Sequence, residues 1–265
     1  MILTVTLNPS IDRRYVVDNF EMEGIFRAKE VQYTPGGKGI NVSKVARDLG
    51  NEVMATGFLG GTSGEFIKES LEERSIKNKF VQIDDETRSC IAILSDDGGQ
   101  TEVLEPGPEI HRDELERFYS NYKILLDSCD IVCASGSLPR GVPTDIYKEL
   151  IELASIKGKR FILDTSQDAL KEGIKASPFL IKPNRQELEA ILGTPINTNH
   201  ELISAVKGIR QYDIGIIVVS LGSEGSLMCY DDKIYKVSIP KVKTVNPVGS
   251  GDSMIAGFAV ALERG

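Results

Sequence analysis

Two glycine-rich turns hold the residues best suited to chemistry. In V-N-P-V-G-S-G-D-S-M-I-A-G-F, Val245 to Phe258, Gly249, Ser250 and Gly251 can turn successive backbone N–H groups onto one anion, and Asp252 places a carboxylate beside them. Met254, Ile255, Phe258, Ala259 and Leu262 follow at helical spacing, so the turn opens a helix whose positive N-terminal end also attracts negative charge. An acidic residue in a first helical turn is equally an ordinary helix starter, and this stretch alone is consistent with both roles for Asp252.

The second turn is T-P-G-G-K-G-I-N-V, Thr34 to Val42. Gly36, Gly37 and Gly39 permit close backbone approach, while Lys38 and Asn41 add charge and directional hydrogen bonds, a combination suited to a polyhydroxylated or phosphorylated ligand. A solvated loop lysine is the plainer alternative. It is not a Walker loop, because Lys38 is followed by Gly39 rather than by Ser or Thr. Val42, Val45, Ala46 and Leu49 predict the buried face of the next helix, which Gly50-Asn51 ends.

Further polar residues stand where apolar runs stop. Asp12 follows the run Ile2 to Leu7 after the breaker Asn8-Pro9, beyond the carboxyl end of a first strand, where open α/β sheets bind ligands. Lys182-Pro183-Asn184 follows another buried run and opens a helix. Asn184 and Glu187 have the spacing of a capping box, and their oxygens could also orient waters around magnesium. Ser220 to Gly225 ends a further core strand and reads either as a hairpin turn or as a nucleotide-admitting loop. Arg88 stands at the start of an exposed strand, where a plain surface role is equally open.

The elements that must position these groups alternate in type. Short apolar runs at 2–7, 53–59, 131–134, 160–164, 179–181 and 214–220 are separated by helical segments, which predicts an α/β fold with a parallel sheet covered on both faces. Residues 13–34 and 88–106 differ in character: short, half-polar strands around Met22-Glu23-Gly24 and Asp96 to Gly99, predicting a partly exposed antiparallel sheet inserted into the main domain. One domain of 265 residues with this insertion is the economical organisation.

Composition narrows the function. A net charge of -8 argues against nucleic acid and anionic membranes as partners, so an anionic substrate needs a local basic site. The start M-I-L-T-V-T-L-N-P has no basic leader and no run approaches membrane-spanning length, so a cytoplasmic location is expected. The four cysteines show no zinc or redox spacing and read as buried free thiols, and two histidines in polar surroundings leave little room for histidine chemistry.

G-G-K-G-I-N-V at 36–42 and N-P-V-G-S-G-D-S at 246–253, in this order and at this separation, resemble the two signatures of the PfkB carbohydrate kinases, and K-P-N-x-x-E and S-L-G extend the resemblance over nearly the whole chain. L-N-P-S-I-D, E-T-R-S-C-I-A-I-L and Q-T-E-V-L-E are most similar to the tagatose-6-phosphate kinase branch, with the 1-phosphofructokinases close behind. The resemblance implies a ribokinase-like three-layer sandwich with a β lid that often pairs with another subunit's lid, and ATP- and magnesium-dependent phosphorylation of a ketohexose phosphate. It implies Asp252 as catalytic base, with Gly249, Ser250 and Gly251 around the transferring phosphoryl. Asp12, Gly37, Lys38, Asn41 and Ser137 would hold the sugar, and Arg88 the phosphate it already carries. Lys182, Asn184, Ser220, Gly222 and Gly225 would serve the nucleotide, with Asn184 and Glu187 organising magnesium through water. Chains of the family continue beyond the Asp252 helix, so the resemblance also implies nucleotide-side elements not present in residues 1–265. The alternatives are a sugar-phosphate-binding relative without catalysis and a kinase acting on an unphosphorylated sugar. ADP release and a sugar-phosphate panel separate them.

Overall fold

The computed structural model describes residues 1–240 and 249–265. In chain order these form β1 (Ile2–Thr6), β2 (Ser10–Val17), β3 (Glu30–Gly36), α1 (Lys38–Asp48), β4 (Val53–Gly60), α2 (Gly61–Glu73), β5 (Lys77–Asn78), β6 (Val81–Ile83), β7 (Ser89–Ser95) and β8 (Gln100–Leu104). There follow α3 (Arg112–Leu125), β9 (Ile131–Ser135), α4 (Ile146–Ile156), β10 (Arg160–Asp164), α5 (Gln167–Gly173), β11 (Leu180–Ile181), α6 (Arg185–Leu192) and α7 (Asn199–Ile209). Strands β12 (Ile216–Ser220), β13 (Ser226–Tyr230) and β14 (Lys233–Val237) and helix α8 (Ser250–Arg264) complete them.

The large sheet runs β14-β13-β12-β11-β10-β9-β1-β4-β5, with β6 also on β4. It is parallel from β4 through β12 and turns antiparallel at β13 and β14. Successive side chains of a strand point to opposite faces, and the central strands are apolar on both. Val132 and Ala134 of β9 join one core with Phe118, Leu150, Leu170, Leu188 and Val206 of α3 to α7. Ile131 and Cys133 join the other with Ile40, Ile67 and Ile255 of α1, α2 and α8. Helix, sheet and helix thus make three layers, as an α/β alternation requires.

The second sheet has the order β3-β2-β7-β8. Its two hairpins are antiparallel within themselves, but β2 and β7 pair in parallel, with Ile11 opposite Ser89 and Val17 opposite Ser95. The sheet is therefore mixed, not purely antiparallel. The reason lies in its roots: β2 leaves the carboxyl end of β1 and β7 follows β6, and β1 and β6 both run parallel to β4, so both hairpins set out in one direction. Helix α2 begins at Gly61, directly after β4, and the short elements β5, β6 and α5 carry no period long enough to read.

Candidate active site

Asp252 lies in the first turn of α8, 7% exposed. The cap of that helix is Gly249, left-handed at φ 79°, a conformation that costs any residue with a Cβ. Instead of capping its own helix, the Asp252 carboxylate accepts a hydrogen bond from Asn41 Nδ2 at 2.8 Å, across the packed pair α1 and α8. The two glycine signatures are thereby joined at their helix N-termini. Val245 to Val248, the start of the second signature, lie outside the described residues.

Lys182 reaches the same place from the end of β11. Its ammonium comes within 3.2 Å of where a Cβ on Gly251 would stand, and 3.4 Å from Asp164 Oδ1. Lys38, at the start of α1, lies 3.8 Å from the other oxygen, Asp164 Oδ2. Asp164 is 2% exposed and neither of its oxygens has a hydrogen-bond partner among the described residues, so two cations hold one buried anion in place of conventional bonds. This residue was not singled out in the sequence. The available signal is an acid closing the otherwise apolar strand R-F-I-L-D. Burial, and to a lesser degree the charge of Asp164, push the Asp252 carboxyl above its ordinary range, against the Asn41 bond and the two lysines.

Above this floor stands the second sheet. Asp12 lies within β2, so it belongs to the small sheet rather than to a loop at the rim of the large one. It accepts from Ser10 Oγ at 2.8 Å and rests on the backbone of Gly36, where a Cβ would overlap its Oδ1 at 2.0 Å. Desolvation raises its pKa, opposed by Ser10, Lys44 and Arg88. Between the small sheet and α1 and α8 opens a cleft of about 520 Å³, lined among others by Asp12, Arg13, Arg14, Asn41, Lys44 and Glu102.

Several expected residues stand apart from that cleft. Arg88 donates to Glu105 O at 2.9 Å and to Asn8 O at 3.1 Å, bracing the roots of both hairpins. Ser137 Oγ accepts from Asn8 Nδ2 at 3.3 Å, and Gly37 is the cap residue of α1. On the other side of the molecule's sheet order, Asn184 and Ser220 line one shallow depression of about 340 Å³ with Arg185, Gln186, Leu221 and Glu224. Gly222 and Gly225 form the turn of the β12–β13 hairpin. Asn184 and Glu187 close a full capping box, Asn184 Oδ1 accepting from Glu187 N at 2.9 Å and Glu187 Oε2 from Asn184 N at 2.8 Å. Glu187 Oε1 remains without a partner among the described residues, an exposed oxygen donor that suits a cation keeping most of its waters. No helix among the described residues is long and apolar enough to cross a membrane.

Comparison with known proteins gives this geometry relatives. The family model described as pfkB family carbohydrate kinase matches residues 5–265. The tagatose-6-phosphate kinase of Staphylococcus epidermidis is 46% identical over 265 residues, covering 99% of this chain and 85% of that protein. Phosphofructokinase-2 from Escherichia coli in complex with fructose-6-phosphate superposes with a TM-score of 0.92 at 29% identity, over 99% of this chain and 87% of its own. A Thermotoga maritima protein described as a possible 1-phosphofructokinase superposes with a TM-score of 0.91 at 30% identity, over 100% of this chain and 85% of its own.

Proposed function

The chain belongs to the pfkB family of carbohydrate kinases, and on that premise we propose that it transfers the γ-phosphoryl group of ATP to a ketohexose phosphate, D-tagatose 6-phosphate, giving the 1,6-bisphosphate. The observation that carries the reading is the Asn41–Asp252 hydrogen bond, which fixes a desolvated carboxylate between two helix N-termini at the floor of a cleft sized for a sugar phosphate.

In this mechanism the sugar lies between Asp12 and Asn41 with its C1 hydroxyl toward Asp252. As the C1 oxygen bonds to the γ-phosphorus and the bond to the β–γ bridging oxygen breaks, the hydroxyl proton passes to Asp252 and ADP leaves with the electron pair. Backbone N–H groups of Gly249 to Gly251 and the N-terminus of α8 face the charge that develops on the phosphoryl oxygens. A raised pKa suits Asp252 to this task, since a base is more effective as its pKa approaches the working pH. Lys182 and Lys38, held by Asp164, present positive charge toward the phosphates. Magnesium bound with ATP supplies charge neutralisation, and Glu187 with Asn184 would hold it through water. Asn184, Ser220, Gly222 and Gly225 belong to the nucleotide side, Arg88 and Ser137 to the sugar side.

The exposed apolar side chains Val31, Tyr33 and Val103 on β3 and β8 favour pairing of the lid with a second copy. The similarity to a possible 1-phosphofructokinase supports a second acceptor, fructose 1-phosphate, lying reversed in the cleft. The test is ADP release from ATP and magnesium with each of the two sugar phosphates. A higher kcat/KM for tagatose 6-phosphate is expected, a preference for fructose 1-phosphate transfers the assignment to the second acceptor, and no ADP with either leaves a binding protein.

A further inference from the structure

Lys44 is a cation that the reading above does not use. It sits on α1 three residues after Asn41, and side chains three apart share a helix face, so it leaves the helix on the same side as Asn41. It lines the lid cleft and also a second cavity of about 330 Å³ behind it, bounded by Tyr33, Thr34, Phe66, Glu73 and Arg74. It is half-buried. One acceptor is recorded for it, the carbonyl of Pro35 at 2.9 Å, and no carboxylate lies within 4.0 Å of it among the described residues. An ammonium carries three donors, so two N–H groups of a desolvated charge have no protein partner among the described residues. Burial lowers its pKa, while Asp12 and Asp252 oppose that shift from a distance.

The other cations on the cleft come from the lid and are already engaged. Arg14 faces Glu30 and Gln32, and Arg13 lies over the Tyr33 ring. Lys44 is the cleft-lining lysine that rises from the floor, with its direction fixed by the Pro35 carbonyl. A neutral polar wall would satisfy sugar hydroxyls at lower desolvation cost, whereas a positive charge held this way gains most from an anionic oxygen.

We propose that Lys44 is a specificity-determining residue that binds an anionic oxygen of the acceptor, selecting sugars that already carry a phosphate. The proposal rests on the kinase reading for its substrate but not for its contact. The experiment compares the wild-type chain with Lys44→Met, Lys44→Gln and Lys44→Arg in ADP release and in calorimetric titration with tagatose 6-phosphate. Loss of a charge-assisted bond predicts a roughly ten- to hundredfold rise in sugar-phosphate KM and Kd for Met. Gln, which keeps a donor without charge, should lose nearly as much, and Arg should stay within about fivefold of wild type. The ATP KM should move less than about threefold, because uniform binding of one substrate is what is removed. A Met variant with unchanged sugar-phosphate Kd overturns the contact, a Gln variant equal to wild type overturns its anionic character, and equal losses for both substrates reduce Lys44 to a strut for β3. If wild type binds tagatose 6-phosphate without releasing ADP, the kinase reading fails alone and the titration still decides Lys44. If it binds no sugar phosphate, both fall.

Discussion

Asp252→Asn separates the chemistry of the site from its architecture. The amide keeps the size of the carboxylate, and its Oδ1 can still accept from Asn41 Nδ2, now 2.8 Å from Asp252 Oδ2, so the α1–α8 junction should survive. What it cannot do is take the hydroxyl proton. General-base assistance is worth about 10² to 10⁴ in rate, and at about 1.4 kcal/mol per decade that is roughly 3 to 5 kcal/mol of barrier. Stability should change in the opposite sense. The folded-state pKa of Asp252 is raised chiefly by burial, so the group favours folding below its unfolded pKa and loses that contribution as pH rises through the folded value. At neutral pH the ionised carboxylate is therefore a liability that Asn removes, and near pH 4 the two proteins should differ less. The assay is kcat for ADP formation at saturating substrates and magnesium, beside thermal melts at both pH values. A variant that melts normally and turns over within about threefold of wild type refutes the role of base. A variant that loses activity and melts lower at neutral pH refutes the claim that burial of the charge, rather than its bonding, dominates the site.

The same titration predicts that kcat falls on the acid side at a higher pH than an ordinary carboxylate base would give, because Asp252 must be ionised and its pKa is raised; a pH–rate profile flat down to pH 4 contradicts this. Arg88→Ala removes donors to two carbonyls at the hairpin roots, so a stability loss of about 1 to 3 kcal/mol is expected, seen in denaturant unfolding, together with a higher sugar-phosphate KM. Stability loss with an unchanged KM would leave Arg88 a brace and no phosphate clamp. Val103→Glu, at a side chain 55% exposed, should convert a lid-paired dimer to monomer in sedimentation, and an unaltered oligomeric state would exclude the lid face.

What could be read from the sequence divides by range. The βα order was legible because each core strand is a short apolar run closed by a breaker, and R-F-I-L-D at Arg160–Asp164 is found where its pattern places it. The position of Asn41 and Asp252 at two helix starts was legible because a glycine turn before an apolar periodic run marks a helix opening locally. Asp164 was not, since its significance comes from two lysines contributed by α1 and by the end of β11, and nothing adjacent in sequence marks that convergence. Lys44 escaped for the same reason. The apolar stripe proposed for α1 was also shifted: Leu49 is 45% exposed while Ile40 and Ser43 are inside, because the face is set by packing on β1 and α8 more than by periodicity over three turns. The parallel pairing of β2 with β7 depends on where two hairpins are rooted, which no local pattern encodes.

Strand β3 ends at Gly36 and α1 begins at Lys38, so a single residue separates the lid from the helix that steadies the carboxylate. So short a connection leaves no slack. Displacement of β3 to admit a hexose phosphate is delivered directly to the first turn of α1, and through Asn41 to Asp252. Pairing of β2 with both β3 and β7 makes the lid a single plate, and Arg88 pins its two roots together, which favours rocking over twisting. Acceptor seating and alignment of the carboxylate are then one mechanical coordinate, with the Asn41–Asp252 bond as its link to the helix floor.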